Sequence, residues 1–420
     1  MAGVIETIGY VIVAGTAAEM ALSLFGTWRR GYLERRSFAA EASLFERRVA
    51  LSLSRAEAER DLTVNSWSGF RKFKVARKIR EADNIHSFEL VAHNGRPLPQ
   101  YLPGQYLTFQ VRIPGQTKPL VRCYSLSDAP GNDGRYRISV KKVPPPPGTE
   151  HASGAVSSYL NDVLREGDIL DVRAPAGTFH CDPASDQPIV LIAGGVGITP
   201  LLSMLNSVCS TPTEREIWLF YGVRNRPQHA FSEHIAGLRH LYPNLHVVTC
   251  YSDPTEVCVP GQDYDHAGRI SLEILKANLP STNYAFYLCG PAPMMESVSG
   301  ELRDWGVPAD DIRIEAFGAA TVQRQPSERP ASASEPGIEI RFDRSDKVLA
   351  WDETAGSILA LAENNGVVLE SGCRAGHCGT CVVAIKAGEV DYVAEPAVTP
   401  EPGTCLACMA VPRGRVTLDA

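Results

Sequence analysis

Cysteines near the end of the chain have the spacing that an iron–sulfur cluster requires. Cys373, Cys378 and Cys381 form a C-x₄-C-x₂-C run, and Cys408 follows 27 positions after Cys381. Four thiolates at this spacing hold a [2Fe–2S] cluster, which carries one electron at a time. Glycines within the run let three thiolates converge from one tight loop, while the fourth comes from a distant segment. The sequence therefore predicts a one-electron carrier at this end of the chain.

Two alternatives concern these cysteines. A structural zinc site favours two C-x₂₋₄-C pairs, whereas here three cysteines share one loop and the fourth is distant. Cys405 also competes with Cys408 for the fourth position. The segment Gly403-Thr-Cys-Leu-Ala-Cys408 resembles the ferredoxin pattern in which the ligand follows Leu-Ala. This resemblance favours Cys408 and leaves Cys405 as a buried or spare thiol.

A second group of residues suits a flavin. Arg122, Tyr124 and Ser125 form an R-x-Y-S pattern on a predicted strand. Alternate residues of a strand share a face, so the guanidinium can pair a phosphate while the phenol ring stacks on the flavin. The Ser125 hydroxyl can turn toward flavin N5. By itself, this short pattern also fits an ordinary strand.

Gly154 and Ser157 form a G-x-x-S pattern at a predicted helix start further along the chain. The free N–H groups of a helix N-terminus bind phosphate. A site for the second phosphate of a pyrophosphate favours FAD over FMN. Together with R-x-Y-S, this pattern makes an ordinary strand the weaker explanation.

A glycine-rich turn suits a nicotinamide cofactor. Gly194, Gly195 and Gly197 follow an apolar run and precede Thr199 at the start of a predicted helix. Such glycines let the backbone approach a pyrophosphate, which the helix N-terminus attracts. The turn departs from G-x-G-x-x-G, so the ordinary dinucleotide-binding fingerprint does not apply.

A later apolar run ends at Cys289, Gly290 and Pro291. Ligands bind at the carboxyl ends of parallel strands, which predicts that Cys289 lies near the nicotinamide. The alternative is that Cys289 is a small buried apolar residue, the usual situation of a free cysteine.

These residues need elements that position them. Short alternating segments at 70–75, 85–90 and 103–109, separated by turn residues, predict an antiparallel barrel. From about residue 187, apolar strands alternate with helices, which predicts a parallel α/β domain. The predicted fold class is multidomain, with an N-terminal α-helical extension (1–66), an antiparallel β-barrel FAD domain (67–185), an α/β parallel-sheet nicotinamide domain (186–319), a linker (320–336) and a C-terminal α+β, β-grasp ferredoxin domain (337–420).

Residues 1–66 differ from the rest in composition. The stretch 3–26 is mostly apolar but contains two glutamates, and a Trp-Arg-Arg sequence follows it. Its length and flank suit a bilayer-spanning helix, although glutamates are costly at mid-membrane. An arginine-rich amphipathic helix is predicted at 32–61. We expect a membrane anchor, spanning or interfacial; the alternative is a helical hairpin that docks a partner subunit or forms an oligomer.

Charge and cysteine content narrow the class of protein. The net charge of −7 argues against a nucleic-acid partner. The eleven cysteines have no disulfide-framework spacing, which fits a reducing cytosol. Residues 337–420 carry 12 acidic and 7 basic residues, a net charge of −5, which suits either docking to a basic acceptor or simple solubility. We expect a cytoplasmic protein, attached to the cytoplasmic face of a membrane if residues 1–66 act as an anchor.

Taken together, R-x-Y-S, G-G-V-G-I-T-P and C-G-P resemble the motifs of the ferredoxin–NADP reductase superfamily, in the same order. The reductase half of bacterial flavohaemoglobins is especially similar, through segments 122–130, 222–225 and 261–265. With its C-terminal ferredoxin, the whole resembles the reductase components of Rieske-type and other multicomponent oxygenases. The resemblance includes no globin domain, and it does not extend to residues 1–66.

The resemblance implies further site residues. Tyr106 would join the R-x-Y-S residues at the flavin. Phe317 would cover the flavin face at which nicotinamide enters, unless it is a core residue. Glu315 would lie near the reacting atoms. The residues expected at the reacting centre are therefore Ser125, Thr199, Cys289, Glu315 and Phe317.

The expected activity is electron transfer from NAD(P)H through FAD and the [2Fe–2S] cluster to a partner oxygenase, hydroxylase or desaturase. Hydride transfer needs no general acid or base, so the protein supplies orientation. NADH is expected over NADPH, although Arg224 or Arg226 could hold a 2′-phosphate. The alternatives are a redox-sensing regulatory module and a membrane-associated reductase of the NADH:quinone type.

Overall fold

A computed structural model shows how the chain folds. It describes residues 3, 20, 67, 69–116, 119–131, 133–144, 153–211, 214–317, 338–369, 371–372, 376, 379–393, 396 and 399–420. The chain divides into two compact units, Met1–Thr63 and Val64–Ala420. Apart from Gly3 and Met20, the helices predicted within residues 1–66 lie outside the described residues, as does the predicted linker at 320–336. Among the helices that are described, none combines the length and apolar character needed to cross a bilayer.

The first domain is an antiparallel barrel. Its strands are β1 (Arg71–Ala82), β2 (Ile85–Ala92), β3 (Tyr106–Val111), β4 (Leu120–Ser125), β5 (Arg135–Lys141) and β6 (Ile169–Val172). The order is β4-β3-β6-β1-β2-β5, with every neighbouring pair antiparallel. A bridge between Leu126 and Ile138 joins the two outer strands. Since this contact closes the sheet, the predicted barrel is confirmed.

A short helical segment packs against this barrel. It begins as α1 (Ala155–Ser158) and continues as a π-helical turn at Tyr159–Val163. Lys78 Nζ donates to the carbonyl oxygens of Asn161 at 2.7 Å and Leu164 at 2.9 Å. Cations stabilise the unpaired carbonyls at a helix C-terminus. Lys78 therefore fastens the end of this segment to β1.

The second domain is a parallel sheet covered by helices. Its strands are β7 (Ile189–Gly194), β8 (Ile217–Val223), β9 (Leu245–Tyr251), β10 (His266–Ala267), β11 (Ala285–Gly290) and β12 (Ile312–Ala316). Its helices are α2 (Ile198–Ser210), α3 (Ser232–Leu241), α4 (Leu272–Asn278) and α5 (Ala292–Asp304). Helices α2 and α3 pack on one face of the sheet, and α4 and α5 pack on the other. The predicted parallel α/β domain is confirmed.

The strand order of this sheet locates a binding edge. The order is β10-β9-β8-β7-β11-β12, so the chain builds outward from β7 in one direction and then returns to β11 on its other side. Ligands bind where the order of a parallel sheet reverses, at the carboxyl ends of the strands. That position lies between the ends of β7 and β11, which carry the predicted glycine turn and the Cys-Gly-Pro segment.

In its described residues, the third domain is a small mixed sheet with one α-helix. Its strands are β13 (Glu339–Phe342), β14 (Lys347–Ala350), β15 (Val382–Ala387), β16 (Val390–Tyr392), β17 (Thr404–Leu406), β18 (Ala410–Pro412) and β19 (Val416–Leu418). The main sheet has the order β14-β13-β19-β15-β17, and β16 pairs with β18. Helix α6 (Ile358–Asn364) begins at Ser357, whose hydroxyl accepts a hydrogen bond from Ala360 N, and buries its apolar face in the core. The predicted α+β class is confirmed.

Candidate active site

Pairing of β3 with β4 places Tyr106 directly opposite Ser125. Both side chains are buried, and side chains opposite each other on paired strands share a face. Tyr106 also exchanges backbone hydrogen bonds with Ala176, at 2.9 and 3.0 Å. The structure therefore brings these two predicted flavin residues together at the end of β4.

Arg122 and Tyr124 occupy the alternate positions of β4. The Tyr124 ring lies 5.7 Å from the Phe109 ring, and burial raises the pKa of its phenol, which stays neutral. Arg122 Nη1 donates to Val121 O at 2.7 Å. A half-buried cation and an aromatic ring on one face suit a phosphate and a flat ring system, so these residues fit a flavin nucleotide.

The G-x-x-S segment lies at the start of α1, with Gly154 immediately before Ala155. Ser157 Oγ donates to Gly154 O at 2.9 Å and accepts from Val143 N at 3.2 Å, so its hydroxyl closes a loop. A Cβ atom at Gly154 would lie 2.8 Å from that hydroxyl. Ser158 Oγ, by contrast, is buried with no hydrogen-bond partner among the described residues. Ser158 was not among the predicted site residues, although the adjacent serines at 157 and 158 could have indicated it.

Glycines bring the ends of β7 and β11 into close contact. A Cβ atom at Gly197 would lie 2.1 Å from Cys289 O. A Cβ atom at Gly194 would lie 2.7 Å from Pro291 Cδ, and one at Gly290 would lie 3.1 Å from Gly194 Cα. Any side chain would therefore separate the two strand ends. The backbones form one continuous surface at the binding edge.

Gly195 presents the open side of this turn. Its φ is +54°, a left-handed conformation that favours glycine, and a Cβ atom there would meet no described atom within 4 Å. Thr199 is buried in the first turn of α2 and donates to Val196 O at 3.0 Å. A turn with close backbone contact behind it and free space in front fits the phosphates of a dinucleotide.

Replacing Gly197 with alanine is predicted to destabilise the protein. Overpacking at a well-packed site costs about 1–3 kcal/mol, and the atom in the way is a backbone carbonyl oxygen that cannot rotate aside. Gly195→Ala is the matched comparison, because it adds only left-handed strain of about 1–2 kcal/mol. Urea unfolding of both variants measures the difference. A Gly197→Ala variant as stable as the wild type would contradict this account of the turn.

Pairing of β11 with β12 places Cys289 opposite Glu315. Glu315 is buried, and its Oε2 has no hydrogen-bond partner among the described residues. Burial raises the pKa of Glu315 to about 8. Burial, with a smaller contribution from Glu315, also raises the pKa of the Cys289 thiol well above its usual value. Both groups are therefore uncharged at neutral pH.

Phe317 follows the end of β12. Its side chain is 37% exposed, which does not fit the alternative of a core phenylalanine. Cys289 is fully buried on the face that α2 covers, which also fits the alternative of an apolar packing residue. The structure therefore brings Glu315 and Cys289 together near the glycine turn and leaves Phe317 accessible; their roles stay predictions.

The two arginines considered for a 2′-phosphate each have an acidic partner. Arg224 Nη2 lies 2.9 Å from Asp253 Oδ2. Arg226 Nε lies 3.5 Å from Asp263 Oδ1. These pairs lie beyond the carboxyl ends of β8 and β9, on the binding edge of the sheet. The arginines were predicted from the sequence, but neither aspartate partner was, because Asp253 and Asp263 lie far along the chain from them.

Two of the four predicted cluster ligands can be located. Cys373 and Cys378 lie outside the described residues, while Cys381 and Cys408 are both buried. Ala407 N donates to Cys381 O at 3.0 Å, which holds the turn before Cys408 against Cys381. The competing Cys405 lies within β17 and is also buried. The described part of the site thus keeps Cys408 and Cys405 as candidates for the fourth position.

The surroundings of these cysteines fit a cluster. Thr380 Oγ1 is buried with no hydrogen-bond partner among the described residues. Hydroxyl and amide donors near the cysteines suit the sulfurs of an iron–sulfur cluster. Gly376, with φ +73°, packs closely on Met409, since a Cβ atom there would lie 2.2 Å from Met409 Sδ. The donor set and the close packing of Gly376 on Met409 both fit the group.

Family models for three domains match the chain. A model described as "Oxidoreductase FAD-binding domain" matches residues 72–181. "Oxidoreductase NAD-binding domain" matches residues 191–300, and "2Fe-2S iron-sulfur cluster binding domain" matches residues 340–413. The matches follow the order barrel, parallel sheet and small mixed sheet.

Individual proteins resemble parts of the chain. A flavohemoprotein of Bacillus thuringiensis is 42% identical over 254 residues, which is 60% of this chain and 62% of that protein. The chain thus spans less than two thirds of the length of such curated relatives. The FAD/NAD-binding domain of a nitric oxide dioxygenase from Vibrio cholerae is 32% identical, with a TM-score of 0.53 over 60% of this chain and 99% of that one. Phthalate dioxygenase reductase is 27% identical, with a TM-score of 0.52 over 84% of this chain and 98% of that one.

Proposed function

This chain belongs to the ferredoxin–NADP reductase superfamily, with a C-terminal [2Fe–2S] ferredoxin domain, and we propose that it is an NAD(P)H-dependent reductase. It passes electrons through FAD and the cluster to a separate oxygenase, hydroxylase or desaturase. The observation that carries the proposal is that one chain holds the three domains in this order. Phthalate dioxygenase reductase, described as a modular structure for electron transfer from pyridine nucleotides to [2Fe–2S], covers 84% of it.

The roles of the residues follow from this proposal. Bound FAD would accept a hydride and release electrons singly to the one-electron cluster. Residues of the barrel orient the flavin: Tyr106, Arg122, Tyr124, Ser125, Gly154 and Ser157. Residues at the edge of the parallel sheet bind the nicotinamide cofactor: Gly194, Gly195, Gly197, Thr199, Cys289, Gly290, Pro291 and Phe317. The thiolates of Cys373, Cys378, Cys381 and Cys408 hold the cluster.

The reacting centre is proposed to be dry and uncharged before the cofactor binds. Glu315 and Cys289 are both buried and neutral at pH 7, so they place no fixed charge beside the nicotinamide. The exposed ring of Phe317 can cover the flavin face and move aside. These groups orient the reactants and exclude water, which is the protein's contribution to hydride transfer.

NADH is the proposed electron donor. An acidic residue at this edge of a dinucleotide-binding sheet binds the ribose hydroxyls of NADH, whereas a free arginine accommodates the 2′-phosphate of NADPH. Here Arg224 and Arg226 already pair with Asp253 and Asp263. A 2′-phosphate would meet these carboxylates, and like charges repel.

Replacing both Asp253 and Asp263 with asparagine is predicted to raise kcat/KM for NADPH about tenfold, because an arginine released from a carboxylate can hold a phosphate. The value for NADH should change little. Asp310→Asn, at an exposed position before β12, is the matched control and should change neither value. Steady-state assays with both cofactors measure the change. A wild-type preference for NADPH would show that the assignment is wrong.

The enzyme and its alternatives differ in turnover. A reductase should oxidise NADH rapidly with ferricyanide, which accepts electrons from the flavin, and with cytochrome c, which reports on the cluster. A redox sensor should turn over slowly with both, and that result would overturn the proposal. Cytoplasmic location and membrane attachment through residues 1–66 stay predictions, and quinone-dependent turnover would favour the quinone reductase.

A further inference from the structure

Asp128 bonds to both the barrel and the parallel-sheet domain. It lies three residues after Ser125, in the segment that leaves β4. Its carbonyl oxygen accepts from Tyr101 Oη of the barrel at 2.6 Å and from Ser203 Oγ of α2 at 2.5 Å. Its carboxylate oxygen Oδ1 accepts from Asn206 Nδ2 of α2 at 2.8 Å. One residue thus connects the end of the predicted flavin strand to the helix that follows the glycine turn.

The contacts on α2 fall on a single stripe of the helix. Thr199, Ser203 and Asn206 stand at positions i, i+4 and i+7, which share one face, and all three are buried. Thr199 is the residue of this stripe that adjoins the glycine turn. Any rotation of α2 about its axis would therefore move the turn and break the bonds to Asp128 together.

The hydrogen bonds of Asp128 to Ser203 and Asn206 form a bridge between the two domains, and further side chains contact this bridge. His234 Nε2 lies 2.8 Å from Asn206 Oδ1. Both the oxygen and the nitrogen of the Asn206 side-chain amide therefore have hydrogen-bond partners. Arg137 Nη1 lies 3.4 Å from Asp128 Oδ2, and its guanidinium lies 5.8 Å from the centre of the Phe231 ring. Phe231 has φ +61° and ψ +17°, a left-handed conformation that is rare for a bulky residue. A residue keeps such a strained backbone conformation where the contacts around it hold it there.

We propose that Asp128 is a positioning residue for hydride transfer, which acts with Ser203 and Asn206 to hold the glycine turn at a set distance from Ser125. The inference rests on the proposed function. The hydride leaves C4 of the nicotinamide with both electrons of its C–H bond and forms an N–H bond at flavin N5, so the cofactor is oxidised and the flavin reduced. The atoms must approach to about 3–3.5 Å. Relative motion of two domains would change such a distance, and the hydrogen bonds of Asp128 to Ser203 and Asn206 oppose that motion beside the glycine turn.

The test compares Asp128→Ala, Asn206→Leu and the double variant in FAD-loaded protein. Anaerobic stopped-flow mixing with NADH and with 4-deuterated NADH gives the rate of flavin reduction and its isotope effect. We expect each single variant to reduce flavin about tenfold more slowly, because small misplacements of reacting groups cost large factors in rate. The dissociation constant for NADH should stay within about twofold, since the groups that bind it are untouched. The double variant should be no slower than the singles, because each single variant already removes the hydrogen bond between Asn206 Nδ2 and Asp128 Oδ1.

Two further measurements distinguish a loss of positioning from a general destabilisation of the fold. Amide hydrogen exchange in α2, measured without cofactors, should increase in both single variants. Asp133→Ala is the matched control, because Asp133 lies in the same loop but its carboxylate bonds to Arg135 within the barrel. Ser203→Ala, which removes only a hydroxyl, serves if Asp128→Ala fails to fold.

The outcomes are distinguishable. If NADH does not reduce flavin in the wild type, the proposed function is wrong. If the wild type is reduced and Asp128→Ala and Asn206→Leu match its rate, the function stands and the bridge is wrong. The positioning role would also be overturned if the two substitutions slowed flavin reduction independently, so that their effects multiplied in the double variant. It would likewise be overturned if added FAD restored the rate of a single variant.

Discussion

Replacing Cys381 with serine will abolish electron transfer to cytochrome c while leaving reduction of the flavin by NADH intact. Cys381 is a buried cysteine of the C-x₄-C-x₂-C run, held against the turn before Cys408. Iron in such clusters is held by thiolates, so loss of one ligand should prevent assembly of the cluster. We expect cytochrome c reduction to fall by at least about 100-fold, since loss of a neighbouring group alone weakens metal sites by 10–100-fold.

The matched control for this variant is Cys405→Ser. Cys405 is an equally buried cysteine of the same domain, three residues before Cys408. It should keep the cluster, measured as iron content and as the visible absorbance of the oxidised form. Loss of the cluster in Cys405→Ser with retention in Cys408→Ser would reverse the assignment of the fourth ligand. Full cytochrome c reduction by Cys381→Ser would show that electrons bypass the cluster.

Replacing Glu315 with glutamine will remove a pH dependence from the stability of the parallel-sheet domain. Burial raises the pKa of Glu315 from 4.5 in a free side chain to about 8 in the fold. Between these values the unfolded chain loses a proton that the folded chain keeps. The free energy of unfolding should therefore fall as pH rises, by about 1.4 kcal/mol per unit, until the pH passes the folded pKa. The loss amounts to a few kcal/mol at pH 8.

The wild type and Glu315→Gln should have similar stability below about pH 4, where Glu315 is neutral in the folded state and mostly so in the unfolded state. Above pH 8 the glutamine variant should be the more stable protein, because it has no buried carboxyl to ionise. Urea unfolding at several pH values measures the difference. Glu296→Gln, at an exposed position on α5, should follow the wild type. Parallel pH profiles for wild type and Glu315→Gln would contradict the buried neutral carboxyl.

Local sequence patterns predict those parts of the fold that neighbouring residues decide. The buried strand β7 lies in the α/β region predicted from about residue 187, since its uninterrupted apolar run leaves few choices. Strand β1 extends well beyond its predicted end at residue 75. Register shifts after Val75 and after Arg80 break the alternation of β1, so the period-two pattern fades while the strand continues.

The rest of the site depends on contacts between distant segments. Glu315 faces Cys289 only because β12 is the outer neighbour of β11, an order that no local pattern specifies. Asp128 meets Ser203 and Asn206 across more than 70 residues of chain. Ser157 was predicted from its position at a helix start, but its hydroxyl bonds to the adjoining loop. The spacing of residues in the sequence thus predicts which residue types form the site and where its strands end. The hydrogen-bond partners of these residues can be identified only from the folded structure.

Anaerobic titration of the purified protein with NADH tests the central claim most directly. Flavin absorbance reports the first acceptor, and electron paramagnetic resonance of frozen samples reports the cluster. The account predicts that NADH bleaches the flavin and then produces the rhombic signal of a reduced [2Fe–2S] cluster within the same molecule. A flavin that is reduced while the cluster stays oxidised, with excess NADH present, would contradict electron transfer from the flavin to the ferredoxin domain.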